Sequence, residues 1–266
     1  MTEVQKNREE IKNYLSLFYD NWWYYRDEGK YFDLKIPRIK KSMHDVDNQL
    51  LFSGTTAIFS SYRDLIINVC YVLAANKIAS EIQDEPLSNY FRFRIRNPYV
   101  RHSIHDFFRF LDHLTFHLNE LSHCKLISKK VKEVDFLKLQ NINTKNLNIP
   151  PKIKKSIEII LNTAYLRITE RGKKILRDFR NIDEHRFPLG IDCLTYPFSR
   201  GKPNFRLDER YGRLFTVGDR TGKNYTYYGL PDIKFNELEP ILKILAVNAK
   251  KIIQGLAIIR VLVQSY

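Results

Sequence analysis

The residues best suited to chemistry lie in one run, Leu176-Arg177-Asp178-Phe179-Arg180-Asn181-Ile182-Asp183-Glu184-His185-Arg186. Arg180 is followed directly by Asn181 and, after three more residues, by His185. Arginine is permanently charged and forks onto phosphate oxygens. Histidine titrates near neutrality and moves protons. Those two abilities are what metal-free RNA cleavage requires: one group takes the proton of a ribose 2′-OH, and another stabilises the charge that builds at phosphorus.

Spacing qualifies this reading. Five residues on an ideal helix turn through about 500°, which leaves His185 about 140° from Arg180. One straight helix does not aim both side chains at one phosphate. Either the helix deforms near Pro188, or two chains complete the site together; the second arrangement is the expectation. The structural alternative is that Arg180 pairs with Glu184, four residues on, and that His185 caps a helix C-terminus.

Other chemistry-bearing residues are weaker candidates. His113 and His117 stand four apart on one helical face, with His102, His105, Asp106 and Glu120 nearby. A shared metal ion there is one reading, and a polar bundle face or a set of RNA contacts is the more expected one; the metalloprotease pattern fails because Glu does not follow His113. Phe91-Arg92-Phe93-Arg94-Ile95-Arg96, if extended, places Arg92, Arg94 and Arg96 on one face and the apolar residues on the other. Arginines beside aromatics suit phosphates and bases. With Arg171, Lys174, Arg177 and Arg186 these three make the expected RNA-binding set. No metal site and no cofactor are expected, and the glycine loops of nucleotide hydrolases and dehydrogenases and the GxSxG element of esterases are absent.

The elements that must hold these residues read as helices. Residues 4–27 form an opening helix ending in Trp22, Trp23, Tyr24 and Tyr25, which suit a core or interface plug better than a stacking platform. Residues 55–83 carry Ile58, Tyr62, Leu65, Ile66, Val69, Val72, Leu73 and Ile78 at helical intervals and stop at Asp84-Glu85-Pro86. Residues 98–122 give the clearest stripe, Phe107, Phe110, Leu111, Leu114, Leu118 and Leu121, beside a polar stripe of Asp106, Arg109, His113, His117 and Glu120. A fourth helix is expected over 151–185, with a break near Gly172. Residues 212–229 alternate around Asp219–Lys223 and read as a β-hairpin, in which Tyr225, Tyr227 and Tyr228 could stack on RNA. A closing helix covers 234–264. The expectation is one all-α domain over residues 1–266, a bundle of about five long helices with a hairpin insertion at about 191–231.

Charge names the partner class. The 266 residues carry 44 Lys+Arg and 30 Asp+Glu, a formal net charge of +14. Residues 151–230 alone hold 17 basic and 9 acidic side chains, more than half of that excess. Such a surface favours a polyanion. Cys70, Cys124 and Cys193 are odd in number and scattered, which argues against a disulfide framework. The charged N-terminus and interrupted apolar stretches point to a soluble protein of the reducing cytoplasm, with no membrane partner.

The Arg180-Asn181-Ile182-Asp183-Glu184-His185 motif resembles that of the HEPN superfamily (higher eukaryotes and prokaryotes nucleotide-binding domains), whose nuclease members carry Arg, a polar residue and then His. The segment Phe108-Arg109-Phe110-Leu111-Asp112-His113-Leu114 through Glu120 is similar to the preceding helix of some bacterial members. The resemblance covers roughly residues 50–190 and the closing helix. It implies an all-α, often dimeric bundle that cuts RNA without metal. Arg180 would steady the phosphate, His185 would transfer the proton and Asn181 would position or polarise. It also implies a toxin or defence effector, a homodimer and an antitoxin partner. A non-catalytic RNA-binding or interaction module is the alternative.

Overall fold

The computed structural model describes residues 3–22, 45–122, 126–143, 147–180, 191–192 and 233–256. These form an all-α protein. Its α-helices are α1 (Glu3–Trp22), α2 (Asp45–Glu81), α3 (Glu85–Tyr90), α4 (Asn97–Leu121), α5 (Phe136–Gln140), α6 (Pro151–Ala164), α7 (Glu170–Asp178) and α8 (Phe235–Gly255). Five of these are long: α1, α2, α4, α6 and α8. The hairpin expected at about 191–231 lies outside the described residues, as do Trp23, Tyr24 and Tyr25. Only its edges are seen, where Ile191 and Ile233 form an isolated parallel bridge.

The α2 sequence contains no proline and a single glycine, so nothing interrupts it, and the helix begins ten residues before the segment that periodicity marked. All eight of its expected core residues are buried, from Ile58 to Ile78. Asp84 then starts a new helix: its carboxylate accepts the Leu87 N–H at 2.8 Å, and Pro86 occupies the first turn. A window of α2, Ser53–Glu81, is long and apolar enough to cross a membrane by length and composition, and most of it is buried within the bundle. The polar Asn68 within this window donates from its side-chain amide to Asp106 on α4.

Residues 91–96 are not extended. They form a π-helical turn that joins α3 to α4 in one continuous helical run. The Asn97 N–H reaches back five residues to the Arg92 carbonyl. Pro98 explains the widening, because its ring would press on the carbonyl four residues earlier and it has no N–H to offer. The alternation of Phe and Arg therefore does not sort them onto two faces. Phe91 and Arg96 turn inward, while Arg92, Phe93 and Arg94 face solvent.

The helix expected over 151–185 is two helices, and the break falls at 165–169 rather than at Gly172. Arg167 adopts a left-handed backbone (φ 64°). The buried Asn248 amide of α8 donates to the carbonyls of Ala164 and Leu166 at 3.3 and 2.9 Å, which satisfies the end of α6. Thr169 then accepts the Gly172 N–H and opens α7. Gly172 serves packing: a Cβ there would lie 2.8 Å from Ile168 and 3.4 Å from Ile241.

Helices α2 and α4 pack side by side, α1 covers α2, and α8 lies against α2, α4 and α6. The main core holds Tyr62, Phe107, Phe110, Phe136, Phe179 and Phe235, all fully buried. A smaller cluster, Ile78, Ala79 and Phe91, joins α2 to the π turn.

Candidate functional site

Helix α7 is short and two-sided. Ile175, Leu176 and Phe179 are buried, while Lys174 and Arg177 are exposed. Arg180 directly follows Phe179, just past the end of α7, and its side chain is only 15% exposed. The Arg180 guanidinium turns toward α4 and lies over the Phe108 ring, with Cζ 4.9 Å from the centroid, a cation–π arrangement. Its Nη2 is 3.6 Å from Oδ2 of Asp112, one turn further along α4. Its Nη1 is buried and has no hydrogen-bond partner.

Asp112 is a divided counter-ion. Its other oxygen accepts the Phe136 N–H at 2.7 Å, at the start of α5. Burial pushes its carboxyl pKa up, against the opposing pull of that N–H and of Arg180. Tyr165, just past the end of α6, is pushed up to about 12, mainly by burial, with Arg180 and Arg177 pulling the other way. Its ring packs on Phe136, centroids 6.2 Å apart. Asp178 is likewise raised by burial and lowered in part by Lys174 and Arg177. The result, among the described residues, is a guanidinium on an aromatic floor with one long ion pair and one unanswered nitrogen. Such a group is short of acceptor oxygens, which is the condition a phosphate relieves.

No family model, curated protein or solved structure matches this chain.

The structure sorts the residues expected at a site. Lys174 and Arg177 are exposed on α7, which ends just before Arg180. Arg171 is exposed but forks onto Glu237 of α8, at 2.8 and 2.7 Å. Arg92 and Arg94 are exposed on the π turn. Asn181, His185 and Arg186 lie outside the described residues, and so does Glu184, the alternative partner of Arg180.

Arg96 corrects the expected RNA-binding set. It is 3% exposed, and each of its nitrogens is engaged: Nε with Asn97 at 3.1 Å, Nη1 with Asn76 at 2.9 Å and Nη2 with Asp192 at 2.6 Å. Its guanidinium also lies 4.1 Å over the Phe235 ring. Asp192 in turn accepts the Phe235 N–H that opens α8, and Asn97 donates to the Ile191 carbonyl. Arg96 is a structural clamp where residues 191–192 meet α8.

The polar stripe of α4 is also partly interior. His117 is 2% exposed, its Nε2 has no partner, and burial lowers its pKa to about 4. Gly54 of α2 lies so close that a Cβ there would sit 2.7 Å from His117 Nδ1. His113 faces the same helix, 3.1 Å from the Ala57 carbonyl and 3.2 Å from the Ser61 hydroxyl. Asp106 is buried too, held by Asn68 at 2.5 Å and Arg109 at 2.6 Å, and Arg109 continues to Asp64 at 2.9 Å. Among the described residues, no three His, Cys, Asp or Glu side chains gather as a metal-binding set.

Phe108, Asp112 and Tyr165 are the site members that sequence reading missed. One signal was present: Phe108 and Asp112 are four apart on α4, hence on one face. What they face depends on where α7 ends, which spacing does not specify.

Proposed function

We propose that this chain is a HEPN-like, metal-independent endoribonuclease in which Arg180 holds the scissile phosphate. The observation that carries the reading is the Arg180 guanidinium itself, supported on Phe108, distant from Asp112, its one counter-ion among the described residues, and with a buried Nη1 that has no hydrogen-bond partner among them. A phosphate oxygen supplies the acceptor that Asp112 at 3.6 Å does not. In the proposed reaction the 2′-oxygen bonds to phosphorus as the P–O5′ bond breaks, giving a 2′,3′-cyclic phosphate and a free 5′-hydroxyl. His185 transfers the proton, Arg180 offsets the charge on the phosphoryl oxygens, and Asn181 orients the group. The 140° separation on an ideal helix favours a homodimer in which two chains complete one site. Resemblance to HEPN toxins and defence effectors suggests an antitoxin partner as well.

The second reading, an RNA-binding module that does not cut, is favoured by the same Asp112 pair, which gives Arg180 a role in joining α7 to α4. Incubation of the protein with bulk RNA in EDTA separates them. Cleavage lost in both Arg180→Ala and His185→Ala supports the nuclease. Cleavage retained in both variants refutes it, and RNA binding without cleavage by the native chain establishes the module.

A further inference from the structure

We infer that the π turn between α3 and α4 is a platform for unpaired RNA bases, built from Tyr90, Arg92, Phe93 and Arg94. Tyr90 is 51% exposed and Phe93 38%, and they are three residues apart on one helical run. Arg92 and Arg94 are exposed beside them, and neither has a carboxylate partner among the described residues. Along this run Ser88, Phe91 and Arg96 are buried and Ile95 packs against the cluster of Ile78, Ala79 and Phe91, while Arg92, Phe93 and Arg94 are all exposed.

The platform is firmly held. Phe91 is buried against Ile78 and Ala79, and the Tyr90 ring meets it edge-on at 5.9 Å. Arg96 closes the other end of the turn through its clamp on Asp192. Two exposed aromatic rings beside two guanidiniums that have no carboxylate partner among the described residues match a single strand, which offers base faces and phosphates at once. A duplex hides its base faces, and a purely anionic protein would leave the rings unused. The net charge of +14 points the same way.

This inference takes from the proposed function only that the ligand is RNA, and it does not depend on cleavage. The test therefore uses the full-length chain carrying Arg180→Ala, so that binding is read apart from cutting. The probe is a fluorescein-labelled 12-nucleotide oligouridylate, compared by anisotropy with the same strand annealed to its complement. Tyr90→Ala with Phe93→Ala is expected to weaken single-strand binding by about tenfold or more and to leave the duplex nearly unaffected. Arg92→Gln with Arg94→Gln is expected to reduce the slope of log affinity against log salt by about 1.4, at about 0.7 per phosphate contact. Equal loss for single strand and duplex overturns the platform, as does an unchanged affinity in the aromatic variant or an unchanged salt slope in the arginine variant. Loss of self-association in place of RNA binding assigns the patch to a second copy and overturns it too. If Arg180→Ala still cuts the probe, the role of Arg180 in cleavage falls while the platform is still judged by these affinities.

Discussion

His117 makes stability depend on pH in a way that can be worked out beforehand. Its imidazole is buried between α4 and the Gly54 turn of α2, and its pKa falls from 6.5 to about 4. In the unfolded chain the ring takes its proton near pH 6.5, while in the folded protein it stays neutral until about pH 4. Between those values the unfolded state holds one more proton, so stability rises with pH. The contribution is fully present above pH 6.5 and is lost as pH falls toward 4. An interval of about 2.5 pH units, at about 1.36 kcal/mol per unit, amounts to about 3.4 kcal/mol. The raised carboxyls of Asp106 and Asp112 act in the opposite sense, because the folded state takes up their protons first as pH falls. A difference between two proteins removes them. Urea unfolding of the native chain and of His117→Leu, from pH 7.5 to pH 4, is the assay. At pH 7.5 the two should be similar, since leucine also removes the unpaired Nε2. By pH 4 the native chain should have lost about 3 kcal/mol more than the variant. Parallel curves would refute the reasoning, for they would mean that His117 is protonated equally in both states.

Two further outcomes follow from the other charged sites. Arg96→Met should cost about 3 kcal/mol in urea unfolding, because it strips the donor from Asp192, Asn76 and Asn97 at once; a change under 1 kcal/mol would sink the clamp. Asp112→Asn keeps the acceptor for the Phe136 N–H but removes the counter-charge of Arg180, so RNA affinity should rise by about fivefold, on the order of 1 kcal/mol. Filter binding at fixed salt measures this, and unchanged or weaker affinity would show that Asp112 does not compete with phosphate.

The α4 stripe was legible because its period is long and unbroken: Phe107, Phe110, Leu111, Leu114, Leu118 and Leu121 are all buried as read. The same periodicity misled at Asp106 and His117. A polar residue beside an apolar stripe faces water only if the neighbouring helix leaves it uncovered, and α2 covers both, with Gly54 against His117 and Asn68 bonded to Asp106. At 91–96 the alternation of Phe and Arg has the period of a strand, but Pro98 and the flanking helices set the backbone, and Arg96 went inside because Asn76, Asn97 and Asp192 meet it there. Gly172 drew the expected helix break because glycine disfavours helix interiors. The actual break owes more to Asn248, 82 residues from Leu166, which sequence order does not bring near. For the site, Arg180 was legible by type and spacing, and its aromatic floor and distant counter-ion were matters of tertiary packing.

The bridge between Ile191 and Ile233 has a consequence for the start of the closing helix. The Asp192 N–H donates to the Ile233 carbonyl at 3.1 Å, so positions far apart in sequence meet at one point on the bundle. The Asp192 carboxylate receives the Phe235 N–H that opens α8 and also pairs with the buried Arg96 guanidinium. One carboxylate therefore serves two ends, so the start of α8 and the charge balance beneath it cannot vary separately.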